Sequence, residues 1–363
     1  MRILTRYILR EFIDPFFSSL CVFTFILFLG NMFRLANMLV KERISVLSIL
    51  KLVVYLLPFI LTYTLPMAIL VATLTSIGRL SSDNEITAMK ANGINPYKII
   101  TPPILAVAVI LCLVSLPLNN TIAPRANFSS KRLFKEIGIL NPLALLEEKK
   151  LIKIFKGYTF YTDKIKNNVL YNVVIHHLKP DSSVRTITAK QGYFISEPKQ
   201  KSLVLKLKNG FVEEFNSKNS KEYFKCSFKI YPIDFGSIAY DMIKLKKSYI
   251  EMTSNDLKNK IAKANSNINK LSVELYRKAS LSFTFIPFIL IGIPLSIRYR
   301  RSSKFAAMGI GMPVILLHYL LMISGSIIAQ KGYMPPAIAM WLPNIIIAAA
   351  GIYLIYKTSY SHK

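Results

Sequence analysis

The chain has 363 residues, of which 52% are hydrophobic, and it carries 47 Lys or Arg against 19 Asp or Glu. A mean hydropathy of +0.39, with the apolar residues gathered in long runs, is typical of a membrane protein rather than a soluble one. The sequence has no GxxxxGK[ST] loop and no transition-metal spacing, so we predict neither nucleotide hydrolysis nor a cofactor. Only Cys226 lies in the polar middle, which excludes a disulfide within that region.

Six apolar runs approach the roughly 20 residues needed to cross a bilayer. The first follows MRILTRYILREF, which resembles the start of a signal peptide, but no small-residue cleavage site follows, so we predict a retained anchor. In the fourth, Pro287, Gly292 and Pro294 predict a kink. The predicted spans are Phe16–Leu35, Leu52–Ser76, Ile99–Leu118, Leu281–Ile297, Phe305–Ala329 and Ala337–Tyr356.

A short polar segment, RLSSDNEITAMKANG, separates the second and third spans. Ser82 is a good N-cap residue and Glu85 stands three positions later, the spacing of a capping box. Asn92 and Gly93 supply a left-handed stop. The predicted helix, residues 82–92, is too short to span a membrane or to be stable alone. We therefore expect it to lie against another surface.

Basic residues outside the polar middle are distributed unequally between the two sides of the membrane. Twelve fall on the side of both termini and of the 79–98 loop, and five on the other, so the positive-inside rule predicts cytoplasmic termini. The middle, residues 125–278, is then extracytoplasmic, and it holds 30 basic and 14 acidic residues. This charge indicates either an anionic partner or a solvated lysine-rich surface. No motif supports binding to nucleic acid.

The middle region begins with short alternating segments rich in Val, Ile, Phe and Tyr, which indicate about eight β-strands in a sandwich or jelly roll. Gly, Asn, Pro and Asp separate them, as at Lys208-Asn209-Gly210. We predict an α+β membrane protein in which six transmembrane helices, three and three, flank an extracytoplasmic β-jelly-roll-like domain. The predicted strand segments are KKLIKIF, NVLYNVVIHHL, VRTITAK, SLVLKLKNGFVEEF and YFKCSFKIYPI. The predicted parts are spans one to three with the short helix (1–124), a β-domain (125–252), a connecting helix (253–278) and spans four to six (279–363).

Four segments, in order along nearly the whole chain, resemble the LptF/LptG permease family, the membrane subunits of the lipopolysaccharide-export ABC transporter. They are RYILREF, GRLSSDNEITAMKANGI, ELYRKASLSFTFIPFILIGIPLSIRYRR and GYMPPAIAMWLPN. The resemblance implies a non-catalytic subunit in the bacterial inner membrane. It also implies a paralogous permease subunit as heterodimer partner, a cytoplasmic ATPase dimer, a single-span partner with a periplasmic β-domain, and lipopolysaccharide as substrate.

In this family the 82–92 helix resembles the coupling helix, which docks in a groove of the ATPase. Ile86 and Met89, three residues apart, are then expected to point into the partner, and Glu85 to pair with a basic side chain. The alternative for Glu85 is the capping box alone, and the two roles do not exclude each other.

A substrate with acyl chains and phosphorylated sugars requires an apolar cavity with basic groups at its rim. Arg34, near the outer end of the first span, is the best candidate for phosphate, and Lys41 and Arg43 are weaker; the alternative for Arg34 is that it reaches the outer headgroups. Arg277 is a further candidate, with a structural pair to Glu274 as its alternative.

The histidines are weaker candidates. His318 lies inside the fifth span, where an ionisable group is a functional candidate by default, but we favour a neutral residue bonded within the helix bundle. His176 and His177 are adjacent on a predicted strand, so they face opposite sides and cannot form a simple paired metal site.

Two other classes compete with the export permease. A membrane enzyme acting on lipid headgroups requires convergent acids, bases or metal ligands, yet residues 275–363 contain no Asp or Glu. A membrane-anchored sensor or scaffold with a basic domain is the other alternative, and it requires no ATPase.

Overall fold

The structure is a computed structural model. It describes residues 2–41, 46–140, 146, 148–152, 157–166, 168–178, 184–197, 202–215, 223–235, 247–263, 267–299 and 304–360. The chain forms two compact units: a helical unit of Met1–Asn31, Val54–Phe128 and Lys247–Lys363, and a sheet unit of Met32–Val53 and Ser129–Lys246.

Ten α-helices lie in the described residues. They are α1 (Arg2–Lys41), α2 (Val46–Ser82), α3 (Glu85–Ala91), α4 (Pro96–Pro117), α5 (Ala123–Leu140), α6 (Ser254–Lys263), α7 (Ile268–Phe283), α8 (Phe285–Tyr299), α9 (Lys304–Gln330) and α10 (Pro336–Tyr360). Five helical stretches are long and apolar enough to cross a membrane, and α7 with α8 forms a sixth candidate, bent by 42°. The α+β membrane fold with up to six spans is confirmed.

The bend in the fourth span lies at Thr284, between α7 and α8. Pro287 follows Phe283 by four residues, and a proline can neither donate to the carbonyl four positions back nor pack against it, so the helix breaks there. Side chains bond the carbonyl of Ser280 at the break: Thr284 Oγ1 donates to it at 3.0 Å and Asn344 Nδ2 at 2.9 Å. Such internal bonds are required because lipid offers the backbone no partner.

His318 belongs to the same network. Its Nε2 lies 2.8 Å from Asn344 Oδ1, and the ring is fully buried between α9 and α10. The prediction of a histidine bonded inside the helix bundle is confirmed.

A π-helical turn, Leu118–Ile122, joins α4 to α5. Asn119 in this turn is buried, and its amide donates to Ser115 Oγ at 3.0 Å and to Ser282 Oγ on α7 at 2.9 Å. Pro124 cannot donate to the carbonyl of Asn120, and the wider turn accommodates the missing bond. The third and fourth spans are therefore joined by hydrogen bonds as well as by packing.

Close backbone approach fixes the packing of the last helices. A Cβ built on Gly351 of α10 lies 2.6 Å from the carbonyl carbon of Leu290 on α8, and one on Gly325 of α9 lies 2.7 Å from the carbonyl oxygen of Ala339 on α10. Small residues at such crossings allow helices to pack tightly where lipid supplies no hydrophobic driving force.

The segment before α6 is a capped turn. Ser248 and Glu251 form a capping box around a 3-10 turn at Tyr249–Glu251. Asp256 in α6 accepts from Lys247 Nζ at 3.0 Å and from the Thr253 backbone N–H, and these bonds, that from Lys247 above all, hold the pKa of Asp256 below its usual value. The helical structure predicted from Thr253 onward is present as α6 and α7.

The sheet unit contains one antiparallel sheet in the part of the chain that the structure describes. Its strands are β1 (Tyr158–Tyr161), β2 (Lys164–Lys166), β3 (Val169–Leu178), β4 (Val184–Glu197), β5 (Ser202–Phe215) and β6 (Tyr223–Asp234). They are ordered β1-β3-β4-β5-β6, with β2 also paired to β3. Alternate residues such as Val173, Ile175, Leu205 and Leu207 form the core of one face. The second sheet that a jelly roll requires is not among the described residues.

The separator predicted at Lys208-Asn209-Gly210 is wrong. β5 continues through it, paired with β4 in the same register on both sides of Asn209, from Val184↔Phe215 to Glu197↔Ser202. Asn209 adopts a left-handed conformation (φ 53°), and a Cβ on Gly210 would lie 2.1 Å from the Thr188 carbonyl oxygen. The Asn-Gly pair therefore lies within a strand instead of reversing the chain, and glycine is required at 210 because any Cβ would overlap β4. Of the predicted strand KKLIKIF, Ile152 bridges Phe160, while residues 153–156 lie outside the described residues.

Replacement of Gly351 by Ala should destabilise the protein by about 1–3 kcal/mol, because the new methyl group overlaps the backbone of α8. Thermal unfolding of the purified chain in detergent measures this. Gly309→Ala on α9 is the matched control, since a Cβ there meets nothing within 4 Å. Equal stability losses for the two variants would contradict the close packing of α8 and α10.

Candidate functional site

The turn between α2 and α3 differs from the predicted capping box. α2 continues to Ser82, whose Oγ donates to the Arg79 carbonyl at 3.0 Å. Asn84 (φ 60°) is the residue before α3, and it makes no side-chain cap bond. The prediction failed because burial of Ile77 and Leu80 in the core carries α2 one turn further than its polar sequence indicated.

The end of α3 follows the prediction. Gly93 has φ +71°, its N–H donates to the Lys90 carbonyl, and the Ile94 N–H donates to the Met89 carbonyl at 2.9 Å. This is the Schellman arrangement that a left-handed glycine permits. α3 is thus seven residues, Glu85–Ala91, shorter than the predicted 82–92.

Ile86 points into its own chain, which corrects the expected orientation. It is 3% exposed and belongs to the core of the helical unit. A helix of seven residues cannot persist alone, so one apolar side chain must anchor it. Met89 is half-buried, and Thr87, Ala88 and Lys90 are exposed.

Glu85 is held by the first helix. Tyr7 OH of α1 donates to Glu85 Oε1 at 2.8 Å. Beside it, Arg79 Nη1 lies 3.0 Å from Glu11 Oε2 of α1, and Arg79 Nε lies 3.6 Å from Asp83 Oδ2. The exposed ion pairs contribute little stability, but together with Ile86 these contacts fix α3 relative to α1 and α2.

A groove of about 730 Å³ lies beside α3, and we call it the basic groove. The last turns of α3, α8 and α10 each place one exposed cation in it. Its lining residues are Ser81, Ile86, Thr87, Lys90, Ala91, Ile297, Arg298, Leu354, Lys357 and Thr358.

Arg277 of α7 forms the predicted structural pair with Glu274. Its Nη2 donates to Glu274 Oε1 at 2.7 Å, and its Nη1 donates to Tyr63 OH of α2 at 3.1 Å. The side chains of Glu274 and Arg277 are 8% and 20% exposed. Lys278, also buried, donates to the Met252 carbonyl. The guanidinium is therefore structurally engaged, although its Nε has no partner in the described structure.

The structure describes the remaining predicted site residues only in part. The backbone of Arg34 and Lys41 belongs to α1, but their side chains lie outside the described residues, as does all of Arg43. His176 lies 3.0 Å from Thr186 Oγ1, and His177 stacks on Tyr158 with ring centroids 3.9 Å apart. The described residues contain no group of three or more acidic, histidine or cysteine side chains placed to hold a metal.

Two hydrogen bonds at the site join residues far apart in the chain and were not predicted from the sequence. Tyr7 and Glu85 are 78 residues apart, and Tyr63 and Arg277 are 214 apart. Neither tyrosine stands in a motif, so no local signal indicates these bonds. They follow from which helices pack together.

The architecture defines a class of multi-pass membrane protein. In sequence order, an antiparallel β-sheet region lies between the spans, and a short helix, α3, is anchored to the spanning helices. The chain belongs to the family described as lipopolysaccharide export system permease LptF/LptG, whose family model matches residues 6–357. It is accordingly a multi-pass protein of the inner membrane.

Two of the relatives match the chain over nearly its full length, and a third matches part of it. The chain is 21% identical over 355 residues to the lipopolysaccharide export system permease protein LptF of Escherichia coli K12, covering 97% of this chain and 94% of that protein. The same figures hold for LptF of Shigella flexneri. An uncharacterized Rickettsia prowazekii protein, RP871, is 27% identical over 138 residues, 38% of each chain.

Replacing Glu274 by Ala should lower the free energy of unfolding by about 3 kcal/mol, because it leaves the largely buried Arg277 charge unpaired. Denaturation in detergent measures the loss. The double variant Glu274→Ala, Arg277→Met should recover part of it, since no charge then remains to be satisfied. A double variant less stable than Glu274→Ala would contradict the structural pair.

Proposed function

We propose that this chain is the permease subunit of an ABC transporter that extracts lipopolysaccharide from the inner membrane and passes it to a periplasmic bridge. It pairs with a paralogous permease subunit, and two copies of a separate cytoplasmic ATPase drive the pair. Both termini and α3 face the cytoplasm, and the sheet unit faces the periplasm, as the distribution of basic residues favours.

The observation that carries the proposal is α3 itself. A seven-residue helix is anchored on one side by Ile86 and stopped by Gly93, while Thr87 and Ala88 remain exposed. A transporter chain without a nucleotide-binding loop must receive work through contact with a separate ATPase. A short rigid helix transmits that force to the helices to which it is bonded. Tyr7 and Ile86 connect α3 to α1 and to the core.

The docking face is the side of α3 opposite Ile86. It comprises the exposed Thr87 and Ala88, with Glu85 and the half-buried Met89 at its border, while Ile86 serves as the anchor and not as the inserted side chain. Glu85 presents Oε1 to Tyr7, and its Oε2 has no hydrogen bond in the described part of the chain, so it can accept from a basic side chain of the ATPase.

The lipid class comes from the family and its relatives. A lipopolysaccharide carries phosphates that require cations at the cavity rim. We propose Arg34 for this contact, because it lies near the end of α1. Arg277 is a second proposal of the same kind, in which a phosphate would share a guanidinium already paired with Glu274 and Tyr63.

The sheet unit supports transfer to a further β-domain. β6 is an edge strand of the described sheet, and Tyr223, Phe224 and Ile230 on it are 57%, 76% and 60% exposed. An edge strand exposes unpaired backbone groups that another strand can bond. We propose that a single-span partner with a periplasmic β-domain pairs here, and that acyl chains lie against the apolar side of the jelly roll.

Glu85→Arg should abolish lipopolysaccharide transport while leaving the protein in the membrane, because it reverses the charge offered to the ATPase. Complementation of a strain depleted of the wild-type chain, with membrane levels measured by blotting, tests this. Asp83→Arg is the matched control, since it makes the same charge change two residues earlier, at an exposed site outside α3.

Tyr7→Phe separates docking from internal packing, because it removes the intramolecular bond of Glu85 and keeps the carboxylate. Transport should fall less in this variant than in Glu85→Arg, because the carboxylate and the Ile86 anchor both remain. Normal transport by Glu85→Arg, or equal loss in Asp83→Arg, would overturn the docking role and favour the sensor or scaffold.

A photo-crosslinking residue placed at Phe224 should capture a periplasmic β-domain protein in cells, because this side chain is the most exposed apolar group on β6. Lys190 on the interior strand β4, also exposed, is the control position. Crosslinking from Lys190 alone would exclude β6 as the partner edge.

A further inference from the structure

The basic groove contains three cations that no described acidic side chain neutralises. Lys90, Arg298 and Lys357 are all exposed, they form none of the ion pairs in the described part of the chain, and none of the ten lining residues is acidic. Glu85 is near in sequence, but it accepts from Tyr7 of α1 and does not line the groove.

Stabilisation of helix ends does not by itself account for this cluster. Each cation stands in the last turn of its helix, where the dipole presents roughly half a negative charge. Side chains and turns already bond carbonyls at these ends: the Met89 and Lys90 carbonyls by the Schellman turn, Ile297 by Ser81 Oγ, and Leu354 by Thr358 Oγ1. Three full positive charges therefore exceed the partial charges that face them.

The apolar residues that line the groove indicate what kind of molecule would carry an anionic group into it. Ile297 and Leu354, from α8 and α10, line the groove beside the cations. On the same helix ends, Tyr299, Tyr353 and Tyr356 are 51%, 62% and 62% exposed. Exposed tyrosines at the ends of spanning helices mark the headgroup level of a bilayer. A cavity of this size, part apolar and part cationic, matches a phosphodiester headgroup with the start of its acyl chains.

We propose that the basic groove binds the headgroup of an anionic phospholipid from the leaflet that meets this end of the helical unit. Lys90, Arg298 and Lys357 contact the phosphate, and the exposed Thr87 hydroxyl lies in the same lining. Because α3, α8 and α10 each contribute one cation, the lipid bridges three elements. This inference concerns the chain alone and stands whether or not α3 contacts an ATPase.

The test is native mass spectrometry of the full chain in detergent with dioleoyl phosphatidylglycerol, and with dioleoyl phosphatidylcholine as the zwitterionic comparison. The triple variant Lys90→Gln, Arg298→Gln, Lys357→Gln should bind phosphatidylglycerol at least about tenfold more weakly. One basic side chain near an anionic headgroup contributes roughly a factor of five. Phosphatidylcholine binding should not change between the two proteins.

The matched control is Arg6→Gln, Arg10→Gln, Lys98→Gln. These residues are exposed and do not line the groove, and their replacement removes the same three charges. The control should bind phosphatidylglycerol as the wild type does. If both triple variants unfold within a few degrees of the wild type, any loss of lipid binding is local to the groove. If the groove triple variant does not fold, the single variant Lys357→Gln replaces it, with a smaller expected loss of binding.

Three outcomes would overturn the proposal. In the first, the groove variant retains wild-type binding. In the second, both triple variants lose binding equally, which would indicate non-specific charge attraction. In the third, inorganic phosphate at millimolar concentration displaces the lipid from the wild type, which would indicate a site for a soluble anion.

Discussion

The lipid bilayer offers no hydrogen bonds, and this constraint accounts for the polar side chains inside the helical unit. Wherever a spanning helix departs from regular geometry, the freed backbone groups must find a partner within the protein. At the break between α7 and α8, Thr284 and Asn344 bond the Ser280 carbonyl, and His318 orients Asn344. At the π turn after α4, Asn119 bonds Ser115 and Ser282. The two breaks thus join α4, α7, α9 and α10 by directional bonds.

The need for partners within the protein also explains the position of the short helix α3. It is too short to fold alone and has no side-chain bond at its N-cap, so its position depends on Ile86 in the core and on Tyr7 at Glu85. A movement of α1 or of the end of α2 would therefore move α3 with it. This mechanical connection is what a helix requires if it is to pass work between a soluble motor and spanning helices.

Cations in the helical unit occur in two environments. Arg277 and Lys278 lie inside it, where Glu274 and Tyr63 bond the two Nη atoms of Arg277 and the Met252 carbonyl bonds Lys278. Lys90, Arg298 and Lys357 lie at its end without acidic partners in the described structure. Because a charge buried in apolar surroundings is costly unless paired, the first set is explained by the fold. The second set is exposed, and we attribute it to the proposed binding of an anionic lipid headgroup.

The sequence by itself determined the number and approximate position of the spans, the polar β-region between them, the kink in the fourth span and the stop of α3 at Gly93. These features follow from local chemistry: long apolar runs, period-two alternation, and the backbone limits of proline and glycine. Only the tertiary structure decided that α2 extends to Ser82, that Ile86 faces inward, that β5 continues through Asn209-Gly210, and that Glu85 bonds Tyr7. Each depends on burial or bonding between residues far apart in the chain. Local propensity is worth at most about 1 kcal/mol per residue, and packing against a distant helix or strand outweighs it.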